Sequence, residues 1–275
     1  HPATLAVGIG CERGASADEV RALVMQCLAQ AGLSPLAVAG VFSIALKAAE
    51  PAIHAVAQEL GVPARFFPAD TLLAETPRLS ELSDIVFRET GCWGVAEGAA
   101  LAAAGPQATL ALAKQRSARA TCAIARSPRI IDATSCGRPR GRLAVVGIGP
   151  GHAGGRTAEA EAAVRASTDL VGYRLYLDLL GPLAAGKTLH AFDLGQEEAR
   201  VRAALALAAE GRSVALISSG DAGIYAMASL VFELIERAAI ADWTRIDVVG
   251  IPGVSLSRDG TLLAAMVRPP LGQSL

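Results

Sequence analysis

The sequence predicts an α/β protein in two domains, the second built on a parallel sheet. Three observations carry this prediction. Short apolar runs alternate with amphipathic helical stretches along all 275 residues, the pattern of strands and helices packed in layers. Runs at 5–10, 143–147, 212–218 and 246–249 each end in glycines, which let a chain turn sharply where a strand finishes. Between the halves, residues 127–142 carry proline, glycine, serine and arginines 129, 138, 140 and 142 with little periodicity, and read as a linker. The domains are therefore expected at 1–126 and 143–275. A composition that is 52% hydrophobic and 4% aromatic, rich in Ala, Leu, Val and Gly, suits helices lying close on a sheet.

In the first half, Leu5 to Gly10 reads as a strand. Ser16 and Glu19 form an S-x-x-E capping box for a helix through Val20, Leu23, Val24, Cys27 and Leu28, closed by Gly32. Val38 to Leu46 is a second strand, and Pro51 opens a helix that Gly61 ends. Arg65 to Phe67 is a short third strand. Helices are expected over Ser80 to Glu89 and Val95 to Ala104, then a strand pair, 110–112 and 121–125, around a basic turn at Lys114, Arg116 and Arg119.

The second half opens on Leu143-Ala-Val-Val-Gly147-Ile-Gly149-Pro150-Gly151, a buried strand running into a glycine turn, followed by a helix capped by Thr157. Two later strands end the same way, at 219–223 and 250–253. Loops at one edge of a parallel sheet can converge on one ligand, so three of them point to a small-molecule site. Gly181 to Thr188 fits the phosphate-loop pattern GxxxxGK[ST]. That loop needs a strand before it and a helix after it, and here the order is reversed, so it reads as a helix-to-strand turn. A dinucleotide oxidoreductase is disfavoured because Gly172, not an acid, ends the second strand of this half.

A formal net charge of −1 argues against a nucleic-acid partner, and no apolar run approaches the roughly 18 residues of a membrane span. Five scattered cysteines without metal spacing predict no metal site and reduced thiols, hence a cytoplasmic setting. Because the chain begins at His1, the missing signal peptide is weak evidence.

Two resemblances sharpen the reading. Gly8-Ile-Gly-Cys11-Glu-Arg-Gly14, Ile44-Ala-Leu-Lys47-Ala-Ala-Glu50, Leu60-Gly-Val-Pro-Ala-Arg-Phe-Phe67 and Val95-Ala-Glu97 occur in the order found in the CobE/CbiG C-terminal domain family of cobalamin biosynthesis, which the first half resembles. Lys47 and Glu97 are its candidate catalytic residues, with Cys11 and Glu50 beside them. Each has a plainer alternative: a surface lysine, a helix-face acid, a turn thiol and a residue before a helix.

From Leu143 to about Ser255, Val146-Gly-Ile-Gly-Pro-Gly151, Val171-Gly-Tyr-Arg-Leu-Tyr-Leu177, Ser218-Ser-Gly-Asp-Ala-Gly-Ile-Tyr225 and Ile251-Pro-Gly-Val-Ser255 resemble the tetrapyrrole methylase family, and within it the precorrin-3B C(17)-methyltransferases. The resemblance implies a cleft for S-adenosylmethionine lined by Gly149, Pro150, Gly151, Gly220, Asp221, Ile224, Tyr225 and Ser255, and a precorrin-type tetrapyrrole substrate. It also implies methylation at C17 with ring contraction, for which Asp221 and Tyr225 are the candidate proton-handling groups; a homodimer is left open. Two departures stand out. Ala222 replaces the proline of the family's Gly-Asp-Pro, and the sequence after Ser255 stops at Leu275 where the family continues into a second α/β domain. The expectation is therefore either a piece of a longer enzyme or a truncated, non-catalytic module that holds a corrin intermediate.

Overall fold

In the computed structural model the chain divides into two compact units, His1–Arg140 and Gly141–Leu275. Residues 1–150, 153–220, 227–253, 255–256 and 262–263 are described.

The first unit is a five-stranded sheet in the order β3-β2-β1-β5-β4, with β1 Leu5–Cys11, β2 Val38–Ile44, β3 Ala64–Phe67, β4 Thr109–Arg116 and β5 Ala120–Arg126. The first three strands run parallel, while β5 is antiparallel to β1 and to β4. Alternation along β1 sends Leu5, Val7 and Ile9 to one face, against Val20, Leu23 and Val24 of α1 (Ala17–Gln30) and Ile53 and Val56 of α2 (Pro51–Leu60). Ala6 faces the other side, with Leu72 of α3 (Ala69–Ala74) and Ala99 and Ala100 of α5 (Val95–Ala104); α4 (Asp84–Thr90) lies between these two helices in the chain. Close approach sets that layer. A Cβ on Gly8 would stand 1.9 Å from the Ala96 carbonyl oxygen, so only glycine lets α5 sit on β1.

Three expectations are adjusted here. Ser16 caps α1 by backbone geometry without a side-chain hydrogen bond, and the Glu19 carboxylate, instead of reaching back to Ser16, accepts from the Ser117 hydroxyl and the Arg119 amide in the β4–β5 turn. The helix expected from Ser80 starts only at Asp84, since Ser80 and Glu81 are held by Glu97 and by Lys114 and Arg116. Much of the stretch expected as a linker is tied to the first unit. The Phe66 and Arg138 backbones exchange two 2.8 Å bonds, the Arg65 guanidinium donates to the carbonyls of Thr134, Cys136 and Gly137, and Ile131 is buried.

The second unit has a parallel sheet in the order β10-β6-β9-β7-β8. Its strands are β6 Arg142–Gly147, β7 Asp169–Tyr173, β8 Thr188–Phe192, β9 Ser213–Ser218 and β10 Asp247–Ile251. On one face Val145 and Leu216 pack with Val201, Ala204 and Leu205 of α8 (Glu197–Ala209) and Val231 and Leu234 of α9 (Met227–Ala238). On the other, Val146 and Ile217 pack with Ala160 and Val164 of α6 (Ala158–Ala166) and Leu177 of α7 (Arg174–Asp178). A two-stranded ribbon, β11 Ser255–Leu256 with β12 Leu262–Leu263, follows. The stretch 181–188 is a helix-to-strand turn, as its reversed context predicts: Lys187 donates to the carbonyls of Arg165 and Ser167 at the end of α6.

Candidate functional site

The three glycine-ended strands of the second unit, β9, β6 and β10, are neighbours in one parallel sheet, so their loops leave from one edge. The loops meet. Pairing between β6 and β9 continues past the strand ends, with the Ile148 amide donating to Ser218 O at 3.0 Å and Gly149 and Gly220 exchanging bonds of 3.1 and 2.9 Å. Gly149 has φ +72° and Gly220 +58°, conformations that favour glycine. The third loop closes onto both: a Cβ on Gly253 would lie 2.0 Å from Gly220 O and 2.8 Å from Gly147 O. Thr157, whose hydroxyl caps α6 by accepting from the Ala160 amide, also reaches Pro252 O at 3.3 Å.

Of the residues that the sequence points to, Gly149 and Gly220 are thus brought into contact, and Pro150 is exposed beside them. Ser255 enters the short ribbon after the third loop. Gly151, Asp221, Ile224 and Tyr225 lie outside the described residues. One group went unnoticed in the sequence. The Ser218 hydroxyl, at the carboxyl end of β9, is buried with no hydrogen-bond partner among the described residues. A hydroxyl closing an apolar strand was the available signal. Such an orphan is costly unless a ligand satisfies it, and with a backbone too tight for side chains it forms a polar-floored cradle that fits a cofactor held through its main-chain contacts.

In the first unit, Cys11, Lys47 and Glu50 gather at the carboxyl ends of β1 and β2. Glu50 is buried and its carboxylate accepts from the Gly14 amide at 2.8 Å, fastening the loop after β1. Burial, then the Glu50 charge, pushes the Cys11 thiol up to about 11 against the opposing pull of Lys47 and Arg119, so it is a neutral thiol at pH 7. Arg119 is engaged by Glu12 and by the carbonyls of Arg13 and Gly14. Glu97 is elsewhere. It sits on α5, across the sheet from Cys11, and its buried carboxylate accepts from the Ser80 amide (2.7 Å), the Ser80 hydroxyl and the Lys114 amide (2.8 Å). Those bonds latch the approach to α4 and strand β4 to α5, a structural use of the acid. Among the described residues no group of His, Cys, Asp and Glu could hold a metal, and all five cysteines are free.

Comparison with known proteins agrees with this division. The family model for the cobalamin synthesis G C-terminus matches residues 5–125. Protein CobE of Sinorhizobium sp is 52% identical over 123 residues, covering 45% of this chain and 80% of that protein. The chain belongs to the CobE family. Beyond that domain, the model for tetrapyrrole (corrin/porphyrin) methylases matches residues 142–268, so the CobE-family domain is joined to a tetrapyrrole methylase domain. The precorrin-3B C(17)-methyltransferase of Sinorhizobium sp is 39% identical over 132 residues, 48% of this chain and 50% of that enzyme. A probable cobalt-factor III C(17)-methyltransferase of Salmonella typhimurium is 42% identical over 115 residues, 42% of this chain and 46% of the other. The chain therefore spans about half the length of these methyltransferases. Among solved structures, CobE matches with 39% identity over 46% of this chain and 92% of its own (TM-score 0.42), and the methyltransferase CobJ with 41% over 42% and 47% (TM-score 0.39). No helix among the described residues is long and apolar enough to cross a membrane.

Proposed function

We propose that this protein acts in cobalamin biosynthesis in the cytoplasm, as an S-adenosylmethionine-dependent C(17)-methyltransferase of precorrin-3B fused to a CobE-like domain. The observation that carries this reading is the meeting of Gly147, Gly149, Gly220 and Gly253 at one edge of three adjacent parallel strands. There the backbone can approach a ligand without interference from side chains. On this reading Gly149, Pro150 and Gly151 would supply the first loop's share of the site, Gly220, Asp221, Ile224 and Tyr225 would hold the cofactor from the second, and Ser255 would contribute from the third. The buried Ser218 hydroxyl is a further polar partner for it. S-adenosylmethionine supplies the methyl group as a sulfonium electrophile. What the chain would supply is orientation: the side-chain-free backbone at these glycines would let the donor approach, and the close-set loops would keep it against the sheet edge. Asp221 and Tyr225 are the groups for proton movement during contraction of the ring. In the first unit, Lys47, half-buried beside Cys11 and Glu50, is the cation for an acidic corrin intermediate.

Isothermal titration of the 275-residue chain with S-adenosylmethionine tests this reading. Saturable binding, lost in Gly253→Ala, supports it. Absence of any heat, with the fold intact by circular dichroism, refutes a cofactor site in this chain and favours a module that holds a corrin intermediate without methylating it.

A further inference from the structure

The second unit holds one arginine whose placement the cofactor site does not explain. Arg200 lies on the first turns of α8, with its side chain 4% exposed. Its Nε is buried without a hydrogen-bond partner among the described residues, and the carboxylate of Glu197 stands 3.8 Å from its Nη2, outside hydrogen-bonding reach. The contrast with Arg202 on the same helix is sharp: that residue is exposed and sits 2.8 Å from Glu198. A guanidinium carries five donors and no acceptor, and it cannot shed its charge at neutral pH. Burying it with only a distant carboxylate and unsatisfied donors is unfavourable unless a further anion arrives.

Position says where that anion would come from. Helix α8 begins just after β8, so its first turns stand at the carboxyl edge of the sheet, the edge from which the three glycine loops leave. Helical side chains lean toward the helix amino terminus, so Arg200 leans toward that edge. Tyr176, on the helix after the neighbouring strand β7, is set edge-on against Tyr173 at 5.2 Å. Burial also holds the Arg200 guanidinium below the usual arginine range, with Glu197 and Tyr176 opposing.

We propose that Arg200, at the start of α8 on the carboxyl edge of the sheet, is a carboxylate-binding subsite that receives an acidic side arm of the tetrapyrrole. The planar fork of arginine suits a carboxylate bound through two parallel bonds. This rests on the tetrapyrrole reading above, but the pairing of Arg200 with a carboxylate can be tested apart from it.

The experiment uses the full chain and uroporphyrin III, a tetrapyrrole bearing eight carboxylates, followed by fluorescence. Arg200→Met is expected to weaken uroporphyrin binding about 10- to 100-fold, the range for losing charge-assisted hydrogen bonds. It should also raise the thermal midpoint of the ligand-free chain, since a buried cation with unsatisfied donors is gone. Arg200→Lys, with charge but no fork, should fall between. Unchanged uroporphyrin affinity in both variants overturns the proposal. If the wild-type chain binds no uroporphyrin, the tetrapyrrole reading fails, and tricarballylate decides the subsite. A midpoint rise over sodium chloride of equal ionic strength, present in the wild type and absent from Arg200→Met, sustains it; equal rises in both remove it.

Discussion

Single residues in this chain divide sharply between those that shape backbone and those that carry chemistry. Gly253 shapes backbone: an added methyl meets the Gly220 carbonyl oxygen at 2.0 Å, a contact that backbone atoms cannot relieve cheaply. Gly253→Ala should therefore part the second and third loops and abolish S-adenosylmethionine binding by calorimetry while β6 to β9 stay folded. Gly149→Val should do the same for an added reason, since φ +72° is a strained conformation for a branched residue. Glu97 holds backbone in place through its hydrogen bonds. Its carboxylate satisfies the Ser80 and Lys114 amides, so Glu97→Ala should cost about 2–3 kcal/mol in urea unfolding. Lys47→Ala should leave stability nearly unchanged and weaken uroporphyrin binding instead. Equal stability losses in the two variants would contradict this division. Lys47 and Glu97 look alike in the sequence, as charged residues inside short motifs; burial and partners separate them.

At the scale of elements, the amino ends of three strands share one acid. Asp169 opens β7 and accepts from His190 of β8 at 2.9 Å, from Thr168, and from Arg212, just before β9, at 3.0 Å. Burial pushes its carboxyl up, but the bonds from His190, Thr168 and Arg212, with the Arg212 charge, more than offset it, and the group ends below the ordinary aspartate range. A depressed folded-state pKa stabilises above the unfolded value and is lost as pH falls through the folded one. The stability gap between wild type and Asp169→Asn should thus be about 2 kcal/mol at pH 7 and shrink as pH drops below about 4 in urea titrations. A gap that widens with acid would show that the carboxylate is not the stabilising form. The sequence reads Asp169 merely as the start of a strand. Its role needs β8 and β9 beside it, and strand order is not written in local periodicity.

Taken whole, the molecule is two cores, each closed by its own helices. The boundary between them carries a test. Ile131 is buried and Arg138 pairs with Phe66, so residues 127–140 belong to the packing of the first unit. A fragment 1–140 should unfold cooperatively, and trimming it to 1–126 should destabilise it by about 3 kcal/mol in urea. Equal stability of the two fragments would return 127–140 to a linker. Basic, glycine- and proline-rich composition misleads here because Arg65 provides donors for carbonyls in the stretch, a partnership some 70 residues away in sequence.

By itself the sequence determined the α/β class, the strand–glycine-loop rhythm, the reversed context that disqualifies 181–188 as a phosphate loop, and the two family resemblances. All of these depend on neighbours close along the chain. Only the tertiary structure decided that β6, β9 and β10 lie side by side so that their loops touch, that the Glu97 carboxylate is hydrogen-bonded while the Ser218 hydroxyl has no partner among the described residues, and that Arg200 is buried with its Nε unsatisfied among them. Each of these depends on groups far apart in sequence, whose desolvation and hydrogen bonding exist only once the sheets have formed.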